Sequence, residues 1–256
     1  MVGAIIGDCI GSRFERNNIK TKDFELFNKY SKYTDDTVLI IAIADSILNA
    51  NAYDQSLIKY GRKYPFLPYG ANFKKWFAGG ISGPYCSWGN GSAVRVCPIG
   101  FAFNDEKSVL MQAKKSAEVT HNHSEGIKGA QAVAIAIFLA RENKSKAVIK
   151  QYIQDKFGYD LNRSQEELRP TYKFDLSCQG SVPEALIAFL HSESYEDAVR
   201  NAISIGGDSD TIASMTGGIA EAYYKEIPDS LFIQMNKIIP LEFQLIINQF
   251  REKHTT

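Results

Sequence analysis

The chain carries no excess of charge of either sign: lysine and arginine together number 29, aspartate and glutamate 29, in 256 residues. That balance removes any whole-chain attraction to polyanions, so stable nucleic-acid binding is not expected, although a local basic patch stays compatible with it. A C-x-x-C pair is also missing. The four cysteines, Cys9, Cys86, Cys97 and Cys178, are scattered, which disfavours a zinc site or a disulfide frame and suits reduced, half-buried thiols in a cytoplasmic protein. No segment approaches 18 uninterrupted apolar residues, so a membrane span is not expected. The opening "MVGAIIGDCIGSRFE" has no basic stretch ahead of its apolar run, and Asp8 breaks that run, so no export signal is expected. Repeats, low-complexity tracts and breaks in composition are likewise wanting. The length therefore reads as one domain, 1–256, and a monomer is expected.

What the chain does have is 45% hydrophobic residues, arranged mostly at helical spacing. "DTVLIIAIADSILNA" (36–50), "SEGIKGAQAVAIAIFLARE" (124–142), "VPEALIAFLHSE" (182–193), "SDTIASMTGGIAEAYYKE" (209–226) and "PLEFQLIINQFREK" (240–253) each repeat apolar residues every three or four positions. The 124–142 segment is so rich in alanine and aliphatics that it should run through the middle of the molecule. An all-α fold follows. Between the helices lie two glycine-, proline- and aromatic-rich stretches, 64–100 and 157–180, which read as loops lining a binding cleft.

Two helix starts carry the chemistry. "YTDDTVL" places Thr34, Asp35 and Asp36 before one apolar helix, and "GGDSDTIA" places Asp208, Asp210 and Thr211 before another. Singly, each stretch fits an N-cap, where Thr and Asp satisfy free N–H groups and acids suit the helix dipole. Two such clusters, neither containing a lysine or arginine, point elsewhere. Four carboxylates in one cleft repel one another unless cations sit among them. Oxygen-only ligands select hard ions, so two magnesium ions are expected, with manganese as a possible substitute.

"GAIIGDCIGSRFE", "YTDDT", "GNGSAVR", "THNHSEG", "CQGSVPEAL" and "GGDSDTIA" stand here in the order and approximate spacing of the ADP-ribosylglycohydrolase family, which the chain resembles from Val2 to about Tyr224. The resemblance implies an all-α, orthogonally packed single domain with a binuclear magnesium site. Its implied reaction is hydrolysis of the glycosidic bond between ADP-ribose and an acceptor, either a modified protein side chain or a small conjugate. It carries the metal ligands onto Thr34, Asp35, Asp36, Asp208, Asp210 and Thr211. Asp35 and Asp36 become the catalytic carboxylates that position a water, and Glu15 becomes an acid on a mobile flap over the metals. A solvated loop acid is the other reading of Glu15.

Beside such a site "WGNGSAVR" reads as a small anion nest: Gly89 and Gly91 allow close approach of backbone N–H groups to a diphosphate, Ser92 adds a hydroxyl, and Asn90 between the glycines is counted with them as substrate-binding. His121 is expected to line the cleft near the ribose or phosphates, as its match in the family implies, while His123 precedes a helix capped at Ser124. Tyr85, Trp88, Tyr159 and Tyr172 offer surfaces for an adenine or, equally, for packing. "CQGSVPEAL" is read as a helix start with Pro183 in its first turn and a glycine and serine that support the cleft wall. Two other functions stay open: a magnesium-dependent phosphohydrolase acting on a nucleotide diphosphate, and a non-catalytic ADP-ribose-binding protein.

Overall fold

The computed structural model describes residues 1–254, and the described residues form helices and connecting segments. In chain order the helices are α1 (Val2–Gly11), α2 (Asp35–Asn49), α3 (Tyr53–Lys63), α4 (Ala71–Phe77), α5 (Gly91–Arg95), α6 (Cys97–Ala102), α7 (Glu106–Glu118), α8 (Ser124–Arg141), α9 (Lys146–Phe157), α10 (Gln165–Thr171), α11 (Cys178–Leu190), α12 (Tyr195–Ile205), α13 (Ser209–Tyr224), α14 (Asp229–Ile238) and α15 (Leu241–His254). The only β feature among the described residues is an isolated antiparallel bridge between Gly89 and Ser177. No helix of the described residues is long and apolar enough to cross a membrane.

Side-chain caps explain several boundaries. Asp105, Ser145, Ser177 and Ser194 each accept the backbone N–H three residues on, satisfying donors that a helix start leaves free. Ser164 and Glu167 form a reciprocal capping box that starts α10 inside the stretch read as loop. The other loop, 64–100, holds α4, α5 and most of α6, which are too short to show a helical period. α11 begins at Cys178, so Pro183 lies inside the helix and not in its first turn. α8 is capped by His123, whose side chain accepts Glu125 N–H at 3.1 Å, and not by Ser124. Cys9, Cys97 and Cys178 are fully buried and Cys86 is exposed, so no thiol is half-buried; all four are free.

α8 and α13 form the centre. From Ala132 to Ala140 every residue of α8 is buried, as its composition predicts. α13 is crossed by α1, α5, α8, α11 and α12. Its partner α1 is one of the helices sequence reasoning did not name, with α3, α7, α9, α12, α14 and the short ones, and here three glycines in ten residues argue against a helix. Those glycines stand four apart and share one face. A Cβ on Gly3, Gly7 or Gly11 would strike the α13 backbone at Gly217, Ala213 or Asp210, so the two helices touch main chain to main chain. This contact brings Asp8 of α1 beside the start of α13.

Helix propensity alone makes Gly7→Ala stabilising by roughly 0.5–1 kcal/mol. The close approach reverses that sign: overpacking should cost about 1–3 kcal/mol and part α1 from α13. Chemical denaturation of the variant should show a lower midpoint with an unchanged slope; a raised midpoint would refute the packing argument.

Candidate metal centre and substrate cleft

The turn before α2 is built on Asp8. This fully buried carboxylate accepts hydrogen bonds from Thr34 N–H (2.9 Å), Thr34 Oγ1 (2.7 Å), Thr37 N–H (3.2 Å) and Thr37 Oγ1. Four donors fill its acceptor sites, so Asp8 acts as the anchor of the Thr34–Thr37 turn. Thr34 in turn accepts Asp36 N–H at 3.2 Å as the N-cap of α2.

The turn before α13 depends on Gly206 and Gly207, both at positive φ (77° and 75°), which end α12 and redirect the chain into Asp208. Asn18 grips this turn, donating to Gly207 O (2.9 Å) and accepting Gly207 N–H (2.8 Å). Lys20 donates to Ile205 O as well. The segment bearing Glu15 is therefore tethered to the second aspartate turn.

The two turns meet. Thr211 Oγ1 donates to Asp36 Oδ2 at 2.7 Å, and carboxylate oxygens of Asp8, Asp36 and Asp210 lie within 4.8 Å of one another, all three buried. Asp35 is the member left partly exposed, in the cleft. Burial, reinforced by the charges of Asp35 and Asp8 on Asp36 and of Asp208 and Asp36 on Asp210, pushes both of these carboxyls well above the usual range. Burial and the Asp8 charge push Asp35 up to about 7; burial pushes Asp208 up to about 6 against the lowering pull of the Asn90 amide. Among the described residues, no Lys or Arg forms an ion pair with any of the five aspartates. A concentrated, uncompensated set of oxygen donors suits a hard divalent cation, and the residues fit one.

A cleft of about 430 Å³ opens over this cluster, bordered by Glu15, Asp35, Asp36, Asp208, Asp210 and Thr211 on one side and Gly89, Asn90, Gly91, Arg95 and His121 on the other. Thr34 does not line this cleft; it borders the neighbouring groove with Arg13 and Glu15, its hydroxyl held by Asp8. Asn90 ties the two sides together, its amide donating to Asp208 Oδ2 (2.6 Å) and Ser181 Oγ (3.1 Å). Gly89 and Gly91 have ordinary φ; a Cβ on either would sit 3.6–3.7 Å from His121 Nε2, between the imidazole and the cleft. Ser92 departs from its expected place: its hydroxyl turns inward to Gly126 O (2.8 Å), where it braces the turn, because the cleft side is taken by the glycines.

Of the four aromatics offered, only Tyr85 lines the cleft. Trp88 stands outside against His123, Tyr159 is buried, and Tyr172 packs on Gly207 with its hydroxyl on Gly180 O. Phe73 and Phe174 line it instead. Sequence reasoning also missed Asp8 and Arg95. The available signal was a charge set inside an apolar run, "AIIGDCI" and "SAVRVC", since a buried charge needs a reason. A larger hollow of about 660 Å³, lined by Phe101, Arg141, Glu221 and His254 among others, shares no residue with this cleft.

Known proteins resemble the chain along most of its length. ADP-ribosylhydrolase ARH3 of Homo sapiens is 28% identical, over an alignment covering 90% of this chain and 86% of that protein. ADP-ribosylarginine hydrolase Tri1 of Pseudomonas putida (strain GB-1) is 23% identical, covering 88% of this chain and 69% of that protein. A solved structure described as an ADP-ribosylglycohydrolase-related protein complex matches with a TM-score of 0.73 at 21% identity, over 99% of this chain and 97% of that one, and so has the same fold. The ADP-ribosylglycohydrolase family model matches residues 1–241, from α1 through α14, and the chain belongs to that family.

Proposed function

We propose that this single-domain chain is a magnesium-dependent hydrolase that cleaves the glycosidic bond between ADP-ribose and an acceptor, releasing ADP-ribose. The observation that carries the reading is the meeting of the two aspartate turns: Thr211 bonded to Asp36, with uncompensated carboxylates facing a cleft whose other wall is a glycine turn. Two divalent ions held by Thr34, Asp35, Asp36, Asp208, Asp210 and Thr211 would neutralise the cluster, orient oxygens of the distal ribose and acidify a water.

The chain's own residues supply the rest. Gly89, Asn90 and Gly91 form the wall on which the diphosphate rests, at the start of α5, with His121 beside it; Gly89 N–H is taken by Ser87 Oγ and Asn90 N–H by Leu176 O, so Gly91 N–H is the backbone donor left for the anion. Asp36 is engaged by Thr211, whereas Asp35 opens onto the cleft, so Asp35 is the carboxylate that positions the attacking water and takes its proton. Glu15 borders both this cleft and the neighbouring groove of Arg13, Tyr30 and Phe66, a position that supports a role on the side where the acceptor leaves. A cytoplasmic, monomeric protein acting on ADP-ribosylated proteins or small ADP-ribose conjugates fits this arrangement.

The test is a panel of ADP-ribosylated substrates, linked through arginine, serine and acetate, incubated with the protein and magnesium. Free ADP-ribose should appear from at least one. Binding of ADP-ribose without release would make the protein a reader, and AMP or phosphate as product would make it a phosphohydrolase.

A further inference from the structure

Arg95 is fully buried in the cleft wall, yet no carboxylate reaches it. Its Nη2 donates to Ser116 O (2.6 Å) and Ala117 O (3.4 Å) at the end of α7, and to Thr120 Oγ1 (2.9 Å). Its Nε and Nη1 have no partner among the described residues. A cation at a helix C-terminus explains the two carbonyl contacts. It does not explain Thr120, whose hydroxyl also meets His121 Nδ1 at 2.7 Å.

The proton bookkeeping at Thr120 is restrictive. A hydroxyl has one hydrogen and two lone pairs, and a guanidinium only donates, so Arg95 occupies a lone pair. The hydroxyl hydrogen then has one well-placed acceptor, His121 Nδ1. The Tyr85 hydroxyl lies within reach of Thr120 as a second, longer acceptor, and the 2.7 Å contact to His121 Nδ1 is the close one. If Nδ1 carried the proton and donated instead, the Thr120 hydrogen would be left with only the longer Tyr85 contact in a fully buried site.

We propose that Arg95, acting through the Thr120 hydroxyl, is a positioning residue that fixes His121 in its Nε2–H tautomer and so aims a hydrogen-bond donor at a phosphate or ribose oxygen of the substrate. The choice of ligand rests on the ADP-ribose reading of the cleft; the tautomer does not. Nε2 is the ring nitrogen that faces the glycine turn, 3.6–3.7 Å from where a Cβ on Gly89 or Gly91 would stand. Burial, and then the Arg95 charge, hold the imidazole well below its ordinary pKa and keep it neutral. His121 in this role binds an oxygen and does not shuttle a proton.

Long-range ¹H–¹⁵N correlation spectra of the ¹⁵N-labelled full chain report the tautomer directly, with the His121 signals assigned by their loss in His121→Asn. The wild type and Thr120→Ser should show protonated Nε2. Thr120→Val keeps the shape but neither donates nor accepts, so the ring should lose its single fixed form and show a mixture of tautomers. Its dissociation constant for free ADP-ribose should rise about tenfold, equivalent to ~1.4 kcal/mol, with Thr120→Ser close to wild type. Arg95→Met should shift the ring in the same direction; if it fails to fold, the Thr120 pair carries the test. Protonated Nδ1 in the wild type, or an unchanged ring in Thr120→Val, overturns the relay. A shifted ring with unchanged ADP-ribose affinity overturns the donor's assignment to that ligand. Absence of ADP-ribose binding to wild type contradicts the proposed function and leaves the relay standing.

Discussion

Asp210→Ala should abolish ADP-ribose release in magnesium, by at least about a thousandfold, on the order of 4 kcal/mol of barrier, and yet leave a folded protein. Asp210 starts α13 on the buried side of the cleft and shares the carboxylate cluster with Asp8 and Asp36. Its loss removes an oxygen donor from the centre of the proposed metal site. In the absence of metal the same acid is a liability: burial and the charges of Asp208 and Asp36 raise its pKa, which means that the ionised form is disfavoured in the native state. The variant should therefore melt at or above the wild-type temperature in EDTA and gain less from magnesium, since a ligand stabilises only the form that binds it. Activity assays and paired melts check both halves. Normal turnover in the variant would remove the metal site from the mechanism.

Asp8→Asn is expected to lower metal affinity and turnover by about 10–100-fold, the usual effect of losing a group that orients metal ligands. The carboxylate accepts four hydrogen bonds from Thr34 and Thr37. An asparagine offers one acceptor oxygen and turns an NH₂ toward donors, so the Thr34–Asp36 turn loses its registry. Because Asp8 acts through that turn, raised magnesium should restore much of the activity, whereas it should not rescue Asp210→Ala. A magnesium titration of both variants separates the roles: failure of excess magnesium to rescue Asp8→Asn would make Asp8 a ligand in its own right.

The parts of the molecule that were legible in the sequence are those with a period or a repeated chemical type. α2, α8 and α13 were placed to within about two residues, because each has an apolar stripe and a polar start. The pairing of "YTDDT" with "GGDSDT" was legible because two uncompensated acidic helix starts are hard to explain separately. The short helices α4, α5 and α10 were not, since five to seven residues span too few turns to show a face. α1 was hidden for a different reason: its glycines lower helix propensity locally, and their use, a backbone-to-backbone contact with α13, appears only in three dimensions. Side-chain direction was the least legible of all. Nothing in "GNGSAVR" says that Ser92 turns inward while Arg95 reaches Thr120, because both depend on what α7 and α8 place behind the turn.

In the proposed function, metal neutralises a mutually repelling carboxylate cluster at the site where ADP-ribose linkages are hydrolysed. The most direct measurement of this claim is ADP-ribose release run beside thermal melts of the wild type from about pH 5 to 8, in magnesium and in EDTA. An aspartate whose folded pKa lies above its unfolded value of 3.8 holds more protons in the native state between those values, so stability falls as pH rises through that window. With Asp208 at about 6, Asp35 at about 7, and Asp36 and Asp210 raised well above the usual range, the EDTA melt should drop as pH rises from 5 and keep falling through 7. Magnesium should remove that drop and switch release on. Full release in EDTA, or melts indifferent to both magnesium and pH, would contradict the claim.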